Sequence, residues 1–294
     1  MKFSEYPYTR PDRDALFLEL DSLFQAFENA QSFDQQRTAM AEFDNILKKF
    51  MTAGTIAYIR HTVNTTDKFY EAEQEFFDES EPLLEEKQKQ FDALLLHSKF
   101  NREITAELGE LALRNAELEQ KGFSAEIIPL MQEENALCSE YQKLYASARI
   151  PLGGKVYTVA QLGALKESPD RALRKATYAA EGKFFDDNRE QFDEIFDKLV
   201  QNRTAQAHKL GFRTFTDLGY IRRQRNCYGK NEVKVFRDQV KADIVPLVSK
   251  IKENQRERIG VDKLRFYDDG YCFKEGNANP HGTPDELLAA GKKM

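Results

Sequence analysis

Apolar side chains recur at helical spacing from the first turns of this chain onward, and almost nowhere do they alternate as a strand requires. Leu16, Leu20, Phe24 and Phe27 follow at steps of four, four and three, on one side of a helix that opens after Pro11-Asp12. A second helix is expected after Ser32, through Phe43, Ile46, Leu47, Phe50 and Met51 towards Thr66. A third runs from Asp67 to about Ser98, with Pro82 expected to kink or split it, because proline removes one backbone donor and crowds the preceding turn. The same pattern predicts helices over 101–121, closed near Gly122, and over 124–148. Five helices without an intervening strand define an all-α layer.

The texture changes at Arg149-Ile150-Pro151-Leu152-Gly153-Gly154-Lys155-Val156-Tyr157-Thr158, where two short extended runs flank a Gly-Gly turn. This is the one clear hairpin signal, and it suggests a domain junction: an N-terminal helical lobe over 1–148 and a second segment over 149–294. After Ser168-Pro169-Asp170 helical periodicity resumes for some forty residues to Leu210, closed by Gly211. A further helix is expected from Asn231 to Ile259, bent at Pro246 and ended by Gly260. Residues 264–280 follow neither period. At Thr283-Pro284-Asp285-Glu286 a cap residue, a proline and acidic first-turn residues open a last helix carrying Leu287, Leu288 and Ala289.

A chain of 294 residues with 41% apolar content can bury a sizeable core. No apolar run approaches the roughly 18 residues of a membrane span, and the start lacks a signal peptide's apolar stretch, so the expectation is a cytoplasmic protein with no membrane partner. Cys138, Cys227 and Cys272 are few, odd in number and far apart, as for reduced thiols. The formal net charge of -6 is unevenly distributed: residues 1–150 hold 16 Lys+Arg against 28 Asp+Glu, and residues 151–294 hold 27 against 21. Either the basic half is an anionic-ligand surface, or the halves are mutually attracted layers with solvated faces. No extended basic stripe supports nucleic-acid binding.

Catalytic patterns are missing. His61, His97, His208 and His281 lie far apart and none belongs to a His-Glu-x-x-His or comparable pairing. There is no Gly-x-Ser-x-Gly elbow and no phosphate-cradling glycine loop. Asp186-Asp187 reads as solvated surface. Asp268-Asp269 lies in an aromatic, non-helical stretch that a scaffold could carry to a cleft. Arg222-Arg223-Gln224-Arg225 is the most basic cluster, suited to a carboxylate or phosphate, or else to an inter-helix ion-pair node with acidic partners from the first half.

Several stretches together resemble one family. They are Tyr8-Thr9-Arg10-Pro11-Asp12, then Phe123-Ser124-Ala125-Glu126-Ile127-Ile128-Pro129-Leu130-Met131-Gln132-Glu133-Glu134-Asn135, Ser139-Glu140-Tyr141 and Ala146-Ser147-Ala148. Further on come Ala207-His208-Lys209-Leu210-Gly211-Phe212, Leu218-Gly219-Tyr220 with Arg222 and Arg225, Ile244-Val245-Pro246, Phe273-Lys274-Glu275-Gly276-Asn277 and Thr283-Pro284. With these the chain resembles, from end to end, the oligoendopeptidase F family of thimet-oligopeptidase-like zinc metallopeptidases.

The resemblance implies an all-α, two-lobed zincin-type peptidase architecture, incomplete here, with a deep channel that admits short peptides. In that family a helix with His-Glu-x-x-His supplies two Zn2+ ligands and the general base, and a later glutamate the third ligand. Those residues are expected beyond Met294, so 149–294 would be the hairpin plus the first helices of a truncated catalytic domain. On this reading no residue of 1–294 is catalytic or a metal ligand, and the chain is inactive until completed by the missing C-terminal catalytic part; the packing partners of the missing helices in 170–260 are expected to be exposed unless a second chain, or self-association as a homo-oligomer, covers them. Substrate-binding residues stay unassigned, with the Arg222-Arg223-Arg225 cluster and His281 as candidates. The alternative is a non-enzymatic helical scaffold that bridges partners through its charged surfaces.

Overall fold

The computed structural model describes residues 3–278 and 280–294. It is helical apart from one two-stranded hairpin among those residues. Two compact units divide the chain, one formed by 1–146 with 190–233, the other by 147–189 with 234–294. The first exit from unit one falls at Ala146/Ser147, beside the junction that the hairpin suggests, and the chain then returns to unit one for forty-odd residues.

In unit one, α1 (Arg13–Asn29), α2 (Phe33–Val63) and α3 (Lys68–Leu96) are each opened by a side chain that satisfies first-turn amides: Asp12, Ser32 and Asp67. Their apolar faces meet around Phe24, Phe27, Phe43 and Phe91, with the rings of Phe43 and Phe91 stacked 4.0 Å apart. Each such buried ring contributes on the order of 1.5–3 kcal/mol of transfer free energy. The expected helix over 101–121 is instead two, α4 (Asn101–Leu108) and α5 (Glu110–Gln120). Gly109 between them has φ 86, a conformation that leaves the helix and that glycine adopts without a Cβ penalty. A short 3-10 turn at Ala125–Ile127 leads into α6 (Ile128–Ala146).

Pro82 does not split α3, which runs unbroken across it. The carbonyl of Asp78 that Pro82 cannot reach accepts a hydrogen bond from Asn135 Nδ2 at 3.0 Å, and the neighbouring carbonyl of Glu79 accepts one from Gln132 Nε2 at 2.8 Å. Two amide side chains of α6 thus satisfy the defect in α3. Ser139 Oγ adds a 2.6 Å bond to the Asp78 carboxylate.

Unit two begins with β1 (Ile150–Leu152) paired antiparallel to β2 (Lys155–Tyr157). Gly153 and Gly154 both have positive φ, 58 and 78, as the tight turn between twisted strands demands. The hairpin packs with α7 (Gly163–Lys166) and α8 (Arg171–Asp187) around Ala148, Ile150, Val159 and Leu162.

The forty-residue helix expected from 170 to 210 is interrupted once. Asn188 leaves helical dihedrals and returns its side-chain amide to Phe184 O, so α8 ends there and α9 (Arg189–Lys209) starts anew. After α9 comes α10 (Phe215–Arg222), and unit one ends at Val233. Gly122 permits a close approach in this region, since a Cβ there would lie 2.9 Å from Ile221 Cγ2.

The expected helix over 231–259 is α11 (Lys230–Gln239) and α12 (Val245–Ile259), joined by a π-helical turn at Val240–Ile244. Pro246 accounts for the turn: it has no N–H for the preceding turn, and the backbone widens so that Val245 N bonds to Val240 O instead. Gly260 closes α12 in the left-handed conformation, φ 73. The last helix, α13 (Pro284–Lys293), has a reciprocal capping box: Glu286 N donates to Thr283 Oγ1 at 3.3 Å and Thr283 N to Glu286 Oε2 at 2.7 Å.

Candidate functional site

A polar constellation of unit one is centred on Glu134 of α6. Arg203 Nε reaches its Oε1 at 2.6 Å, and Gln206 Nε2 and Arg222 Nη1 reach its Oε2 at 2.8 and 3.1 Å. Arg203 and Gln206 come from α9 and Arg222 from the end of α10. Asn202, one helical turn before Gln206, accepts from it at 2.6 Å and donates to Glu133 Oε2 at 2.7 Å and to Leu130 O at 2.9 Å. Both guanidinium groups also lie over the Phe215 ring. Burial pushes the Glu134 carboxyl up, but hydrogen bonds from Arg203 and Gln206 and the charge of Arg222 outweigh it and hold the group below its ordinary range.

Beside this node is a cavity of about 410 Å³ with Glu85, Lys89, Glu119, Met131, Glu134 and Arg222 in its wall. Lys89 hydrogen-bonds Glu119 and lies 3.6 Å from Asp92. Burial raises the Glu85 carboxyl, with Lys89 and Arg222 opposing. Among the described residues, no serine, threonine, cysteine or histidine lines this cavity. Within its wall, Lys89 pairs with Glu119 and Arg222 with Glu134.

The arginine cluster therefore divides. Arg222 is the inter-helix ion-pair node with an acidic partner from the first half, Arg225 lies over the Tyr220 ring, and Arg223 is exposed. What sequence reading missed is the other half of the node, Glu134, Asn202 and Gln206. Asn202 and Gln206 carry a signal, a pair of amides at i, i+4 spacing on a helix, and both are buried.

The Asp268-Asp269 pair in unit two is a scaffold feature. Asp268 is fully buried and takes Arg171 Nη2 at 2.7 Å, Arg174 Nη2 at 2.8 Å and the N–H of Arg265 at 3.0 Å. Burial opposes its ionisation, but these donors lower its pKa to about 2. Asp269 points outward and pairs with Lys252. Arg174 also donates to Tyr267 O, Ser168 O and Pro169 O and stacks on Tyr271, and Gln255 donates to the carbonyls of Asp268, Asp269 and Tyr271. These two side chains fix the non-helical stretch that sequence pattern could not classify. Asp186 and Asp187 are exposed, paired with Arg189 and Lys183.

The four histidines are divided between the units, His61, His97 and His208 in unit one and His281 in unit two. His61 is buried in α2 with neither ring nitrogen hydrogen-bonded within the protein, His97 bonds Ala93 O one turn back, and His208 and His281 are exposed. Cys138, Cys227 and Cys272 are all free thiols. Among the described residues no group of three or more His, Cys, Asp or Glu side chains is placed to hold a metal ion.

Residues 3–123 match the profile of the Peptidase M3 N-terminal domain, and residues 164–289 match that of Peptidase family M3. The chain belongs to peptidase family M3, on its oligoendopeptidase F-like side. It is similar over its full length to PZ peptidase A, solved with an inhibitor, at 43% identity and a TM-score of 0.96, covering 52% of that chain. A candidate oligoendopeptidase F solved at 3.1 Å is 40% identical with a TM-score of 0.96, and this chain again covers 52% of it. A candidate oligoendopeptidase F from Bacillus anthracis str. Ames is 37% identical with a TM-score of 0.95, and 54% of it is covered. The chain thus spans about half the length of the solved structures it matches. No curated protein sequence matches it. The zinc ion that the family implies finds no fitting donor set among the described residues, so no chemical step can be derived through it here.

Proposed function

We propose that this chain supplies the N-terminal half of a zinc-dependent oligoendopeptidase that hydrolyses peptide bonds in short peptides, and that it is inactive without the remaining half. One observation carries the reading: all of the chain superposes on M3 peptidases at a TM-score of 0.96 and 40–43% identity, while only about half of each of those chains is matched. The zinc ligands and general base then belong to the unmatched half, and the residues of this chain act as scaffold. Glu134, Arg203 and Arg222 tie α6, α9 and α10 together, and Asp268 with Arg171 and Arg174 locks the stretch before α13. A cytoplasmic setting is proposed on the three dispersed free thiols.

The test is zinc content and cleavage of a quenched short peptide by purified 1–294, alone and with the other half of a homologous M3 peptidase. Cleavage only in the completed enzyme is expected. Stoichiometric zinc with cleavage by 1–294 alone overturns the assignment of the chemistry, and a completed protein that binds peptides without cutting them returns the scaffold reading.

A further inference from the structure

From residue 234 to residue 251 not one side chain is buried, and only Val240 is even half-buried. A helix that projects into water for this length is normally polar all round. This one is not. Phe236, Ile244, Val245, Leu247, Val248 and Ile251 are exposed by between 43% (Val248) and 65% (Phe236). Ile244, Leu247, Val248 and Ile251, at steps of three, one and three, share one face. Of these, Ile244 and Val248 also line a groove of about 770 Å³, together with Val240, Val245 and Leu264. An apolar stripe of this kind marks a surface that another element covers.

We infer that this stripe is the seat of the unmatched half of the M3 peptidase fold, a helical partner with an apolar face of its own. The inference rests on the reading proposed above. One relationship selects this occupant over a second copy of the chain. The helix lies within a match that covers 100% of this chain at a TM-score of 0.96, so the same helix exists in the solved relatives, and 48% of those chains lies outside the match and is available to cover it.

The experiment co-expresses tagged 1–294 with the half of PZ peptidase A outside the match, and compares Val248→Asp and Ile251→Asp with the unaltered chain. Both positions are exposed, so circular dichroism and unfolding of 1–294 alone should not change. Val156→Asp on the exposed hairpin serves as the control. The expected result is a 1:1 complex with hydrogen-exchange protection over 240–251, reduced at least tenfold by either stripe variant and not by the control. Absence of a complex, or a complex indifferent to the stripe variants, overturns the inference, as does a homodimer of 1–294 with the same residues protected. A stripe-dependent complex that cleaves no peptide keeps the docking surface and removes the hydrolase reading; cleavage that the stripe variants leave intact does the reverse.

Discussion

Asn135 donates its side-chain amide to the carbonyl oxygen of Asp78 at 3.0 Å, four residues before Pro82, where proline leaves that carbonyl without a helical partner. One side chain of α6 thereby lets α3 continue as a single helix. Removing it leaves a carbonyl short of its partner, at a cost of about 1–3 kcal/mol. Asn135→Ala should lower stability by that amount in urea unfolding, and Pro82→Ala, which restores the backbone donor, should make the loss smaller. Equal losses in both backgrounds would show that the amide serves something other than the proline defect.

Asp268 and Arg174 form an ion pair in which both side chains are essentially inaccessible. Breaking a buried pair on one side strands the other charge, at about 3–5 kcal/mol. Arg174→Met should therefore destabilise unit two strongly and open 264–278 to proteolysis. Lys252→Ala, which removes an exposed pair with Asp269, should change stability by less than about 1 kcal/mol.

His61 is held neutral. Burial lowers its pKa, Lys143 lowers it further, and Glu71, Asp78 and Asp67 only partly oppose them. Because the unfolded chain binds the proton more readily, stability contributed by the neutral ring is complete above about pH 6.5 and is lost as pH falls below that value towards the folded pKa. Asp268 behaves likewise at lower pH: its contribution is present above about 3.8, the unfolded value, and is lost as pH falls through about 2. Midpoints of thermal unfolding measured from pH 7.5 to 5 should fall for the native chain and change less for His61→Leu. Parallel curves would remove His61 from the account.

Glu134 neutralises two guanidinium groups. Glu134→Gln keeps the shape but leaves Arg203 and Arg222 without a counter-charge, and a loss of about 1.5–3 kcal/mol is expected, the range for hydrogen bonds to charged groups. Arg222→Lys should recover part of the Arg222→Ala loss, because a lysine keeps the charge without the fork that spans Glu134 and Gln206. Chemical denaturation of the three variants checks this order.

Much of this was legible in the residues. Leu16 to Phe27, the caps at Asp12, Ser32 and Asp67, the Gly153-Gly154 turn and the Thr283 box are local signals, each contained within a few positions. The family was legible as well, since motif order survives without knowledge of contacts. The breaks at Gly109 and Asn188 were harder, because either residue can also sit inside a helix. The node at Glu134 joins residues about seventy and ninety positions apart, and no local period reports it.

The sequence alone determined that the chain is helical, where most helices begin, and that it shares peptidase family M3 ancestry without a His-Glu-x-x-His motif of its own, because periodicity, capping and motif order are properties of short stretches. The tertiary structure decided what the polar residues are for. Asn135 answers Pro82, Asp268 holds two arginines instead of facing a cleft, and α11 to α12 carries an uncovered apolar stripe. Hydrogen bonds and burial depend on which distant segments meet, and that is fixed only when the helices pack.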